Sequence, residues 1–359
     1  MFGALFTESQ SRIDKLQIAV ICGLMIISVL FVYSATMVTE SASALPLYNQ
    51  LWFRQLIWFG AGAGAFVALC LVDYRVVSRW CPVIYSLSIL SLIIVLIPGI
   101  GTAHGGARRW IDFGPFQCQP SEFAKIAFIL AEASFLSRPA EELASPMAFA
   151  KAIGMMALPF LLTMKEPDLG SALVLIPTGF VMLFVAGAPK RYLVWLIAGG
   201  SVLASLFLVD VLFAPQGWWT IKMEDYQRKR LMVYFGADFA SRNATPVEKA
   251  RAYAEERQRS YQVRQALISV GTGGLTGKGW HQGNQTALGF LPPGAAHNDF
   301  IFSVIAEEKG FVGSITVLGL YGLLLFTGLR TAGQARDRLG KIMAAGVVAL
   351  LFSHVFINI

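Results

Sequence analysis

Residues 17–39 read QIAVICGLMIISVLFVYSATMVT, with no acidic or basic side chain among them. A bilayer's hydrocarbon core takes about 20 such residues as a helix. In lipid, backbone N–H and C=O groups can be satisfied only within the segment itself. The run is too long for a cleavable leader, and it passes through Tyr33-Ser34-Ala35-Thr36 without leaving its apolar pattern. The same reading carries along the chain. Apolar runs recur at roughly 52–72, 80–100, 120–137, 148–165, 169–188, 191–214, 311–331 and 342–359, making nine expected spans. The last stops at Ile359 with no polar flank, so we expect the natural product to be longer.

Composition agrees. Of 359 residues 55% are hydrophobic and 14% charged, with mean hydropathy +0.59. Soluble domains carry about 25% charge. A soluble enzyme, a disordered chain and a fibrous protein are excluded. What remains is an all-α polytopic membrane protein, one integral membrane domain over 1–359. The net charge of +7 then concerns topology and anionic ligands rather than nucleic acid. Four cysteines without CxxC spacing make neither a metal site nor a disulfide framework.

Short-loop Lys and Arg set the orientation. With the N-terminus inside, the cytoplasmic segments carry twelve, from Arg12 and Lys15 through Arg75, Arg138 and Arg191 to Lys341. The loop at 40–51 has none and the hairpin at 165–168 only Lys165. The exception is 101–119, where Arg108 and Arg109 stand outside against the rule.

Residues 215–298 form one large extracytoplasmic loop with 11 Lys or Arg against six carboxylates. Its positive excess fits a solvated helix face as well as an anion-binding one. The stretch 246–266 reads as a charged helix at the membrane surface. Asn243-Ala244-Thr245 matches a glycosylation sequon, taken as chance. Gly271-Thr272-Gly273-Gly274-Leu275-Thr276-Gly277-Lys278-Gly279 could offer backbone N–H groups to a phosphate, or be a flexible turn. It is not a P-loop, because Gly279 stands where Ser or Thr is needed.

Ionisable residues inside a bilayer cost about 2.5–3.5 kcal/mol each at mid-span, which makes them functional candidates. Glu122 and Lys125 follow Pro120 at i, i+3 spacing on one helix face. They form an orienting ion pair, or Lys125 joins Arg109 in holding an anion. Asp168, in the tight Glu166-Pro167-Asp168 hairpin, is a natural helix N-cap. The rigid Pro292-Pro293-Gly294 turn delivers His297 and Asp299 to the start of a helix. Asp299 is either an N-cap without a capping box or a carboxylate for acid–base work. A continuous helix from Asp299 to Thr331 would be about 50 Å long, against a core of about 30 Å. A break is therefore expected near Gly310, with Glu307, Glu308 and Lys309 packed inside protein. Asp210, Glu132 and His354 read as contacts between helices.

Taken together the motifs resemble those of the SEDS family (shape, elongation, division and sporulation), especially its rod-shape branch. They are Gly106-Ala107-Arg108-Arg109-Trp110-Ile111, Gln119-Pro120-Ser121-Glu122-Phe123-Ala124-Lys125, Pro167-Asp168-Leu169-Gly170-Ser171-Ala172, Asp225-Tyr226-Gln227, Tyr261-Gln262, the glycine stretch through Gly279, His297-Asn298-Asp299-Phe300-Ile301-Phe302 and Ala306-Glu307-Glu308-Lys309-Gly310-Phe311. The order is kept over nearly the whole chain. Ten spans are usual in that family, so one would follow Ile359.

The resemblance implies a peptidoglycan glycosyltransferase of the bacterial cytoplasmic (inner) membrane. It would polymerise lipid II, an undecaprenyl diphosphate-linked disaccharide peptide, at the outer face. A class B penicillin-binding protein transpeptidase would be its partner, and membrane lipid its surroundings. The family's essential aspartate falls on Asp299. Arg109, Trp110, Glu122, Lys125, Asp168, Lys278 and His297 fall around the substrate. No metal-ligand set stands out, and a divalent cation sharing the diphosphate charge stays open. The chain departs from the pattern at Glu166 (Gln is usual), at Asn298 (Thr is usual) and in its longer turn before His297. A lipid II flippase and a non-catalytic scaffold for the penicillin-binding protein are the alternative readings. The flippase predicts charge spread through the bilayer depth, the scaffold a dispensable Asp299.

Overall fold

The computed structural model describes residues 14–37, 45–104, 107–114, 117–213, 246–291 and 296–358, with 232 and 235 besides. The nine apolar runs each hold a helix among the described residues. They are α1 (Lys15–Thr36), α2 (Leu51–Leu71), α3 (Cys81–Val95), α4 (Pro120–Leu136), α5 (Pro146–Lys165), α6 (Leu169–Val185), α7 (Lys190–Phe213), α9 (Ile301–Gln334) and α10 (Arg338–Asn358). The charged helix of the large loop is α8 (Pro246–Gly273). Among the described residues six helices are long and apolar enough to cross a membrane. Of the others, α3 and α6 are apolar but shorter, and α4 is interrupted by Glu122, Lys125 and Glu132.

Local chemistry starts the helices where the sequence says. Asp14 caps α1, accepting from the N–H groups of Leu16 and Gln17 at 3.0 and 3.3 Å. Pro120 opens α4 and Pro146 opens α5, where the missing N–H costs nothing.

The connections gather at two ends. At one, Arg75 Nε and Tyr74 O–H reach Asp337 at 2.9 and 3.0 Å, and Asp14 lies 4.0 Å from Arg330. The Gly340 amide, Tyr74 and Arg75 hold the Asp337 carboxyl below its usual range against partial burial. Arg338 donates to the Ala186 carbonyl at the same end. At the other end Arg109 meets the 166–168 hairpin. Alternating passes require this grouping.

The interior has two cores. Helix α4 lies among α3, α5, α6 and α10. Phe128, Ile129, Leu136, Met182, Leu183 and Ile342 are buried there. The second core joins α1 to α9 through Phe31, Ala35, Val304, Ile305 and Val317, closed by Leu291 and Ala296. Helix α2 buries none of its residues, and its outward Ile57, Phe66 and Leu69 suit lipid rather than water.

Helix α9 breaks at Gly310 as its length demands, with φ 62° and ψ −157°. The glycine stretch after α8 closes over the break. The amides of Lys278 and Gly279 donate to the carbonyls of Glu307 and Glu308 at 3.0 Å each. Those of Phe311 and Val312 donate back to Gly274 and Leu275 at 2.8 and 3.1 Å. Groups freed by the kink thus find partners away from water. A Cβ on Gly277 would overlap the Glu308 carbonyl, and one on Gly310 the Gly277 nitrogen. Glu307, fully buried, accepts from Lys278 Nζ at 2.6 Å and from the Gln285 amide at 3.1 Å. Glu308 accepts from Ser34 O–H and from the His281 amide at 3.0 Å. The two carboxylates are inside protein as expected, whereas Lys309 is exposed, so the cluster is only partly packed away.

One element differs from the all-helical reading. Between residues 101 and 118 three short strands form an antiparallel sheet, β1 (Gly101–His104), β2 (Ala107–Asp112) and β3 (Gln117–Cys118). Asp225-Tyr226-Gln227, the basic residues from Lys222 to Arg242, the Asn243 sequon, Gly106, the Pro292–Ala295 turn and the end at Ile359 lie outside the described residues.

Candidate active site

Three loops meet where β2, the start of α4 and the α5–α6 hairpin converge. Arg109, half-buried on β2, donates from Nε to the Glu166 carbonyl at 3.3 Å and from a terminal nitrogen to that of Pro167. Its other terminal nitrogen is 4.0 Å from Asp168 Oδ1. Asp168 caps α6 by accepting from the Ser171 amide at 3.2 Å, and Gln119 Nε2 donates to its second oxygen at 3.0 Å. Both readings of Asp168 thus hold a geometric basis: it caps, and it sits beside Arg109. Glu166 is fully buried and neither carboxylate oxygen has a hydrogen-bond partner. Burial pushes its carboxyl up to about 8, the Asp168 charge adds to this and Arg109 opposes it.

One turn into α4, Lys125 has 2% of its side chain exposed. Its Nζ lies 2.8 Å from Glu122 Oε1 and 2.8 Å from His354 Nε2 of α10. The i, i+3 pair is real, and it has a third member that the sequence reading placed only as a contact between helices. The charges of Lys125, Glu122 and Asp168 all reach the His354 ring.

His354 forms one wall of a cavity of about 450 Å³, which Asp299 and Asn298 enter from the turn before α9. Ser28, Tyr321 and Asn358 add polar groups, and apolar residues of α1, α9 and α10 make the rest. Asp299 is exposed. It does not cap α9, whose N-cap residue Phe300 is followed by no side-chain cap bond, so the capping alternative fails. His297 is half-buried, with its Nδ1 buried and without a hydrogen-bond partner. Trp110 sits on β2, where its carbonyl accepts from Thr102 at 3.1 Å.

Lys278 lies apart from this group. Its ammonium is bonded to Glu307 and to Thr272 Oγ1 at 3.2 Å, and its amide and that of Gly279 are spent on α9. Those two amides are not free for a phosphate, and the segment is not a loose turn either. Glu132, read as a contact between helices, is fully buried with neither oxygen hydrogen-bonded. Among the described residues no group of three or more His, Cys, Asp or Glu could hold a metal ion.

The profile of the cell cycle protein family that contains FtsW, RodA and SpoVE matches residues 14–359. The chain belongs to the FtsW/RodA/SpoVE family. Among relatives of this family, peptidoglycan glycosyltransferase MrdB of Escherichia coli (strain K12) is 34% identical over 338 residues, 94% of this chain and 82% of its own. Stage V sporulation protein E of Bacillus subtilis (strain 168) is 33% identical over 357 residues, 98% of this chain and 88% of its own. The rod shape determining protein RodA of Thermus thermophilus superposes with TM-score 0.60 at 25% identity, covering 95% of this chain and 82% of that one. A chain from a peptidoglycan synthase complex, solved for its coordination of polymerization and crosslinking, superposes with TM-score 0.64 at 28% identity, covering 94% and 86%. The fold of this family member is therefore the one those structures show.

Proposed function

We propose that this FtsW/RodA/SpoVE family member is a peptidoglycan glycosyltransferase that polymerises lipid II, with Asp299 as general base. Family membership and relatives named as peptidoglycan glycosyltransferases support the reaction class. The observation that carries the assignment of the base is the uncapped, exposed Asp299 on the wall of a largely apolar cavity that a Lys125-backed histidine also lines. A lipid-linked sugar presents just this mixture of apolar tail, polar ring and diphosphate.

The chemistry is one displacement. Asp299 takes the proton of the acceptor hydroxyl, the freed oxygen pair attacks the donor's anomeric carbon, and the bond from that carbon to the diphosphate breaks, inverting the centre. Base catalysis of this kind contributes roughly 10²–10⁴-fold. The departing diphosphate carries the bonding pair as negative charge, which preorganised cations stabilise. Lys125, acting through His354, and Arg109 at the neighbouring hairpin would supply that field. The glycan strand grows at the outer face of a bacterial cytoplasmic membrane with the N-terminus inside, following the loop charges. A class B penicillin-binding protein crosslinks the strand; one structural relative belongs to a complex that coordinates polymerization and crosslinking.

The test is Asp299→Asn, purified with the transpeptidase partner and assayed on lipid II. Polymer should vanish while expression and detergent melting hold. Near-normal polymer from that variant would end the assignment, and would favour the scaffold reading.

A further inference from the structure

We infer that His354 is a substrate-binding residue of this site: its imidazole N–H donates to a phosphate oxygen of the lipid-linked diphosphate, in the cavity that Asp299 also lines. This deepens the glycosyltransferase reading and rests on it.

The argument starts at Lys125. An ammonium group has three N–H donors and no acceptor. Its contact with His354 Nε2 at 2.8 Å therefore makes that ring nitrogen the acceptor. The ring is then neutral and its proton sits on Nδ1. Nδ1 becomes a fixed N–H donor on a side chain that lines the cavity. Lys125 itself is walled off, with 2% of its side chain exposed, and it does not line the cavity. Its charge reaches the cavity through the ring, which the ammonium polarises. Glu122, bonded to the same ammonium at 2.8 Å, fixes the lysine in place. The Asn358 amide donates to the His354 carbonyl at 3.0 Å and lines the same wall.

Such a donor recognises anionic oxygen, and its sharing one cavity with a carboxylate divides the cavity's chemistry. Asp299 repels a phosphate and suits a hydroxyl whose proton it can take. The His354 wall attracts the phosphate and has nothing to take a proton from a sugar. An in-line displacement needs the leaving group and the attacking hydroxyl held separately about the anomeric carbon, and these two residues give each its own partner in one cavity.

The experiment uses the full chain in detergent with its transpeptidase partner. His354→Phe keeps the ring and removes the N–H, and His354→Gln restores a neutral donor. Binding of undecaprenyl diphosphate is measured for each, beside steady-state kinetics on lipid II and a thermal melt. A lost charge-assisted hydrogen bond predicts roughly 10- to 100-fold weaker binding for His354→Phe, with partial recovery in His354→Gln. The kinetic change should fall mainly on KM. Undecaprenol, which lacks the diphosphate, should bind wild type and His354→Phe equally.

Unchanged undecaprenyl diphosphate binding by a folded His354→Phe overturns the inference. So does displacement of undecaprenyl diphosphate by phosphatidylglycerol at equal concentration, which makes the wall a general headgroup site. Wild-type protein that binds undecaprenyl diphosphate in a His354-dependent way but makes no polymer removes the glycosyltransferase reading and leaves the binding assignment standing.

Discussion

Glu166→Gln tests the electrostatics of the hairpin directly. In the folded chain burial keeps the Glu166 carboxyl protonated up to about pH 8, whereas an ordinary glutamate ionises near 4.5. Between those values the folded state binds more protons than the unfolded one. Stability must then fall as pH rises through that window, and level off above it. At about 1.4 kcal/mol for each tenfold change in proton affinity, the interval sets a ceiling of about 5 kcal/mol. Relaxation of the hairpin around the ionised carboxylate takes part of this. Glutamine keeps the shape and removes the titration. Thermal melts of purified wild type and Glu166→Gln in detergent at pH 5, 7 and 9 should converge at pH 5 and separate steadily above it. The variant should be the more stable by several degrees at pH 9, at roughly 2 °C per kcal/mol. Parallel curves across the three pH values would refute the reasoning, because a purely steric effect of the amide does not depend on proton concentration.

Two stability predictions concern the broken helix, and join those for Asp299 and His354. Lys278→Met strips a fully buried Glu307 of its cation and should cost about 3 kcal/mol in a denaturant or thermal titration, while Lys278→Met with Glu307→Gln should recover more than half. Gly277→Ala, at φ 79° and against the Glu308 carbonyl, should cost at least about 2 kcal/mol by the same assay; Gly199→Ala, mid-helix with open space at its Cβ, should not destabilise.

The sequence made some of this legible and hid the rest for physical reasons. Apolar runs were readable because lipid imposes a length and a polarity on each pass. The break at Gly310 was readable for the same reason, since Ile301–Gln334 is too long to run straight through. The sheet at 101–118 was not, because strands of four, six and two residues carry too little alternation to register. Asp168 as a cap was local information, three residues from the amide it accepts. Lys278 and Glu307 are 29 positions apart, so the lysine showed no partner and invited a phosphate in its place. His354 and Lys125 are 229 apart, and a lone histidine in an apolar helix gives no sign of what stands across from it. Asp299 could be narrowed to two roles, and only the unbonded start of α9 removed one of them.

The four backbone bonds that seal the kink in α9 ask little of the side chains around them. Their geometry depends instead on there being no side chain at Gly273, Gly277 and Gly310, where an added methyl would strike main chain on the opposing segment. Leu275 and Thr276 between them are free to drift through substitution without loosening the joint, whereas the three glycines are not. A joint spelled in the smallest residue tolerates wide divergence in its neighbours and almost none in itself.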